Sequence, residues 1–219
     1  MTDPTQTWPA ELVARYRDKG YWRGETFPAM LRARAEAHPD RVAITSGKVQ
    51  ITYAALNDRA RTLGAGLLAL GLRSRDRVLI QMGNAPCFFE AVFAAFAAGL
   101  VPVYALPAHR RTEVAHLAGK AGARAILVQD RIERFDHAAM MLDLKRDLPA
   151  LEHVIVAGQA PEGALAMETR WRMPPLSSWG NRSILDSASG IRTSLRRSRA
   201  VRLASRRLTP SCCLRCSVT

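Results

Sequence analysis

Chemistry on phosphate leaves a recognisable mark in a sequence: a glycine-rich loop ending in lysine, because backbone N–H groups and a cation must together surround the anion. Gly47-Lys48 and Gly119-Lys120 supply two Gly-Lys pairs, but Val42 and Val114 stand where GxxxxGK[ST] needs its first glycine, and GxGxxG is absent. The stretch Ser187-Ala188-Ser189-Gly190-Ile191-Arg192-Thr193 comes nearest and lacks both a second glycine and the lysine. A GxSxG serine, which would serve acyl transfer, does not occur. His38, His109, His116, His137 and His153 follow no metal-ligand spacing, and Cys212, Cys213 and Cys216 lack a second ligand pair at zinc-finger spacing. No residue is therefore assigned a catalytic role, and none a metal. His109 and Arg110 stay of interest, because an imidazole and a guanidinium come just beyond the apolar run LVPVYAL, after Pro107 and Ala108.

The segments around them alternate in period. Pro9 to Lys19 reads as a helix stopped by Gly20, and Thr26 as the cap of a second, FPAMLRARAEA, ending before His38-Pro39. RVAITSG and VQITY are β-branched runs joined through Gly47, the pattern of a hairpin. Thr52 then caps a helix whose Leu56, Ala60, Leu63, Leu67 and Leu70 recur at steps of four and three, with Gly71 as its end. RVLIQMG, LVPVYAL, RAILVQ and HVIVAG read as strands, and PCFFEAVFAAFAAG, RTEVAHLAGKAG and HAAMMLDLKRDL as the helices between them. Strands that are continuous apolar runs alternating with helices predict an α/β fold, a partial doubly wound and mainly parallel sheet with helices on both faces. Ligands of such sheets bind at the C-terminal ends of the strands, the side on which His109 and Arg110 fall.

The charge is segregated. Of a formal net +13, the segment from Arg170 to Thr219 carries +10, from eleven Arg, no Lys and one acid, Asp186. The residues before it have the balance of an ordinary globular domain, so any nucleic-acid argument rests on that tail alone. After Gly158 the α/β regularity stops; residues 159 to 180 contain Pro161, Pro174, Pro175 and Gly180, and Arg and Ser dominate residues 181 to 219. Cys87 sits alone in an apolar run as a buried thiol, and the cysteine pattern implies no disulfide framework. The first twenty residues contain acids and no apolar signal core, which leaves the cytoplasm as the expected compartment. Cys87 to Leu106 has the length of a membrane span, yet Glu90, Gly99 and Pro102 make it a buried helix and then a strand.

Three segments carry a resemblance. WPAELVARYRDKGYWRGETFPAMLRARAEAHPDRVAI resembles the beginning of the aryl-acid adenylating enzymes, the stand-alone 2,3-dihydroxybenzoate or salicylate-AMP ligases of siderophore assembly. ITYAALNDRARTLGAGLLALGL is similar to the first core motif of the wider adenylate-forming superfamily, and RVLIQMGNAPCFFEAVFAAFAAGLVPVYALPAHRRTEVAHLAGKAGARAILV to the second. Tyr53 matches the first motif and Gly99, Pro102 and Pro107 the second, all as scaffold positions. The aryl-acid assignment rests on YRDKGYWRGETF and on ALPAHRRTE, Ala105 to Glu113. The resemblance implies an acid ligase that uses ATP and Mg²⁺ to form an aryl-adenylate and then passes the acyl group to the phosphopantetheine thiol of an aryl carrier protein. It also implies that His109 and Arg110 can approach the substrate or cofactor of the complete enzyme; ordering the loop is the alternative, and the commoner use of such residues.

In such enzymes a Ser/Thr/Gly-rich loop ending in Lys comes soon after a strand like HVIVAG, and here the Arg/Ser segment stands in its place. Residues 1–167 are thus expected to be the N-terminal portion of the adenylate-forming domain, and 168–219 an aberrant or disordered tail. An out-of-frame translation beginning between Glu168 and Ser177 accounts for eleven Arg without Lys. A basic arm that binds nucleic acid or an anionic surface is the alternative, although aromatics for base stacking are lacking beyond Trp179. A non-catalytic regulator built on the scaffold is the third reading. The 219 residues alone are expected to be inactive, to bind neither ATP nor Mg²⁺ well, to involve no membrane, and to be poorly soluble because a sheet cut partway leaves an open edge.

Overall fold

The computed structural model describes residues 8–167, so every expectation for 168–219 lies outside the described residues. These residues divide into two compact units: one takes the described chain up to Arg75 with Asn84–Pro102, the other Asp76–Gly83 with the described chain from Val103 on.

In the first unit, α1 (Ala10–Asp18) and α2 (Phe27–Ala37) precede a hairpin of β1 (Val42–Ser46) and β2 (Val49–Thr52), then α3 (Tyr53–Ala69) and, after the chain returns, α4 (Pro86–Ala97). The two predicted caps form: Thr26 Oγ1 accepts from the Ala29 amide at 3.3 Å and Thr52 Oγ1 from the Ala55 amide at 3.2 Å, each satisfying a donor that the first helical turn leaves free. The stripe of α3 is buried at Leu56, Ala60, Leu63 and Leu67, whereas Leu70 is already the C-cap residue. Small residues let α4 come close; a Cβ built on Gly64 would lie 2.9 Å from the Ala94 carbonyl oxygen. Phe27 and Phe96 stack with ring centroids 4.9 Å apart. The membrane-length segment resolves as expected into helix then strand, and no helix among the described residues is long and apolar enough to cross a membrane.

The second unit holds a five-stranded sheet made of β3 (Arg77–Gln81), β4 (Val101–Tyr104), β5 (Ala125–Gln129), β8 (His153–Ala157) and β9 (Leu165–Ala166). Between them lie α5 (Arg111–Ala121), a short hairpin of β6 (Arg131–Ile132) and β7 (Phe135–Asp136), and α6 (His137–Asp147). The order is β4-β3-β5-β8-β9, and the β3/β5, β5/β8 and β8/β9 pairs are parallel. Leu79, Ile126, Val128, Val154 and Val156 pack with Val114 and Ala118 of α5 and Met141 and Leu144 of α6. Val78, Ile80, Leu127 and Ile155 point to the opposite face and are equally buried, as the continuous apolar runs predict.

One expectation needs correction. The regular structure does not stop at Gly158: β9 pairs with β8 through Ile155↔Leu165 and Val156↔Ala166, and the Met167 amide donates to the Val156 carbonyl at 2.8 Å. The β6/β7 hairpin is likewise unannounced in the sequence. Two-residue strands are too short to show an alternation, so the period-two signal has nothing to register.

Candidate functional site

Numbered by their order in the chain, the five strands run 2-1-3-4-5, and the reversal of direction falls between β3 and β5. Open parallel sheets of this order bind ligands beyond the C-terminal ends of the strands at that point, where the loops diverge. Four chain segments build the rim here: the residues after β3, the loop from Ala105 to Arg110, Gln129-Asp130 at the end of β5, and Gly158-Gln159 after β8.

Side chains hold three carbonyls of the loop after β4, those of Leu106, Pro107 and His109. Gln81, the last residue of β3, is fully buried, and its Nε2 donates to the Leu106 carbonyl at 2.7 Å and the His109 carbonyl at 3.0 Å. Arg110 Nη1 donates to the carbonyls of Pro107 at 2.8 Å and His109 at 3.1 Å, while its guanidinium lies 4.2 Å from the centroid of the Phe135 ring. His137 is 1% exposed; its Nε2 lies 3.0 Å from the Pro107 carbonyl and its Nδ1 3.1 Å from that of Phe135. The Arg110 amide donates to Glu113 at 3.0 Å and holds that carboxyl below its ordinary range. His109 accepts from the Leu106 amide at Nδ1, 3.3 Å, so the neutral ring carries its proton on Nε2.

The ends of β5 and β8 are closed by side chains. The Gly83 amide donates to Gln129 Oε1 at 3.2 Å, tying the two strands on either side of the reversal. Asp130 accepts from the amides of Arg131 at 2.6 Å and Gln159 at 2.9 Å, and the Gly158 beside it adopts φ +107°.

The structure brings His109, Arg110 and Pro107 together in one loop. Tyr53, Gly99 and Pro102 belong to the first unit: Tyr53 opens α3 on an open cleft of about 470 Å³ that Leu31, Phe89 and Phe93 also line, and Gly99 ends α4 with φ +70°. Arg110 directs Nη1 at two loop carbonyls, whereas His109 Nε2 has no hydrogen-bond partner among the described residues. Sequence reasoning missed Gln81, Gln129, Asp130 and His137. A polar residue inside an apolar strand, Gln81 in RVLIQMG, was the one available signal. Among the described residues no group of three or more His, Cys, Asp or Glu gathers as metal ligands, and they contain no glycine-rich loop ending in lysine. They therefore do not by themselves fit a Mg²⁺-bound triphosphate, and no step through a metal is derived from them.

Asp136 caps α6 by accepting from the Ala139 amide at 2.9 Å, and chiefly that bond holds its carboxyl below the ordinary aspartate range. A lowered folded-state value means that the contribution is present above the unfolded value and lost as pH falls through the folded one. The expected result is that wild type loses its advantage over Asp136→Asn between about pH 5 and about pH 3, measured as urea midpoints across that range.

The family model described as "AMP-binding enzyme" matches residues 31–182. The 2,3-dihydroxybenzoate-AMP ligase of Bacillus subtilis (strain 168) is 43% identical over 155 residues, covering 71% of this chain and 29% of that protein. The salicyl-AMP ligase / salicyl-S-ArCP synthetase of Mycobacterium tuberculosis is 40% identical over 156 residues, covering 69% and 28%. Among solved structures, the apo structure of MbtA from Mycobacterium smegmatis matches with a TM-score of 0.69 and 38% identity over 77% of this chain and 31% of that one. The chain spans less than a third of the length of each of these proteins.

Proposed function

Because the chain belongs to the family of AMP-binding enzymes, we propose that residues 1–167 are the opening α/β portion of an aryl-acid adenylating ligase of siderophore biosynthesis. In the parent reaction a carboxylate oxygen of 2,3-dihydroxybenzoate or salicylate attacks the α-phosphorus of ATP and pyrophosphate leaves. The phosphopantetheine thiol of an aryl carrier protein then attacks the acyl carbon, and AMP leaves. ATP and Mg²⁺ are the cofactors this reading implies and the aryl carrier its partner. Within it, His109 and Arg110 lie near the substrate or nucleotide, while Tyr53, Gly99, Pro102 and Pro107 shape the scaffold. Residues 168–219 are read as translated from a shifted frame; the coding DNA past codon 167 should then encode, in another frame, a Ser/Gly/Thr-rich loop with lysine.

The observation that carries the proposal is the ordered match to aryl-acid AMP ligases along most of the described residues. Its test is a chimera in which residues 1–167 replace the matching segment of the Bacillus subtilis ligase. The expected result is ATP–pyrophosphate exchange that depends on 2,3-dihydroxybenzoate or salicylate; a folded chimera silent with both acids overturns the reading. The 219-residue chain alone is expected to show no such exchange, since it contains no phosphate loop.

A further inference from the structure

Gln81 presents an unusual balance. Its amide faces two carbonyl oxygens, so the NH₂ group must point at them, and this fixes the orientation of Oε1. That Oε1 is buried without a hydrogen-bond partner. Yet both carbonyls have a second donor: Leu106 O accepts from the His109 amide at 3.0 Å and His109 O from Arg110 Nη1 at 3.1 Å. Gln81 is therefore not needed to satisfy the loop, and keeping it costs a desolvated acceptor that methionine would avoid. What it alone does is fix both ends of the Leu106 to His109 turn to the end of β3. That same turn contains the Leu106 N–H to His109 Nδ1 bond that leaves the Nε2–H of a half-buried ring unpartnered.

We propose that Gln81 is a positioning residue that holds His109 as an Nε2–H donor for an anionic oxygen of substrate or nucleotide at the C-terminal rim of the sheet. The inference rests on the adenylating reading for the identity of that anion, a carboxylate or a phosphate. Arg110 is the brace of the loop, through its carbonyl bonds and its place on Phe135.

The test uses the full chain labelled with ¹⁵N-histidine and titrated separately with salicylate and with inorganic pyrophosphate. In wild type one of the two anions shifts the His109 Nε2–H resonance in fast exchange, and which one does so identifies the source of the oxygen. Gln81→Met keeps the volume and leaves both carbonyls with a donor, so it should fold; the His109 response should fall at least about tenfold, with protection of the Leu106 amide from hydrogen exchange lost alongside it. A merely structural glutamine would change the melting temperature and leave the response intact. The proposal is overturned by a response that persists in Gln81→Met, or by a wild-type His109 indifferent to both anions. Should Gln81→Met not fold, Gln81→Leu serves as the second variant: it too removes the amide that holds the Leu106 and His109 carbonyls, so the response must fall in the same way, and a response that persists overturns the proposal. The chimera's exchange activity is read separately, so an inactive chimera beside a Gln81-dependent response removes the adenylating reading alone.

Discussion

Gly158→Ala is expected to destabilise the protein by roughly 3 to 5 kcal/mol, enough to unfold much of a domain whose total stability is typically about 5 to 15 kcal/mol. Gly158 comes after β8 with φ +107°, a conformation open to glycine and strained by about 1 to 3 kcal/mol for a residue with a Cβ. Space is refused as well: the added methyl would sit 2.5 Å from Cγ and Oδ2 of Asp130 and 2.7 Å from its Oδ1. The carboxylate cannot simply swing aside, because it accepts from the Arg131 and Gln159 amides, bonds to a charged group worth about 1.5 to 3 kcal/mol each. Chemical denaturation of wild type, Gly158→Ala, Asp130→Ala and the double variant separates the two causes. The double variant should recover the steric part and keep the backbone strain. A single variant within about 1 kcal/mol of wild type would show that this corner gives more freely than its geometry allows.

Gly64→Val carries the second largest expected effect, a loss of roughly 3 kcal/mol, for a different reason. Its backbone is ordinary helix; the difficulty is the neighbouring helix, whose Ala94 oxygen lies 2.9 Å and Ala98 nitrogen 3.5 Å from where a Cβ would stand. Both are main-chain atoms at the C-terminal end of α4, so relief requires moving one helix against the other rather than turning a side chain. Gly64→Ala should lose less, because alanine's better helix propensity, about 1 kcal/mol, offsets part of the contact. Thermal melts monitored by circular dichroism should rank the three proteins Gly, Ala, Val. Equal melting temperatures would mean that α3 and α4 do not depend on this close approach.

Most elements of the fold could be read from the sequence because each is announced by local physics. FPAMLRARAEA coincides with α2 because a threonine cap, a first-turn proline and a trailing His-Pro bound it at both ends. RAILVQ and HVIVAG became adjacent parallel strands because residues buried on both faces leave no polar position in the run. The candidate site was less legible. His109 and Arg110 stand out by their place after a strand, but what holds them comes from Gln81, 25 to 28 residues earlier, and His137, 30 residues after Pro107. Side chains that bond distant carbonyls obey no period, and a buried histidine in HAAMMLDLKRDL looks like any helix-opening polar residue. Asp130 was hidden similarly, since its partners are backbone amides that any residue could have supplied.

The shortness of β9 bears on how the protein would yield to a mechanical load. Its pairing with β8 comprises two residue pairs, supplemented by the Met167 amide bond, whereas β5 is flanked on both sides by four or five matched pairs. Among the described elements, an unfoldase or membrane pore drawing the chain from its C-terminal side therefore meets the weakest joint of the sheet first and would strip β9 before testing the central strands. From the opposite direction the first described element is α1, which has no fully buried residue. Resistance to threading is thus concentrated in the middle of the described chain, and a pulling trace should show small early yields at both approaches before the sheet centre gives way.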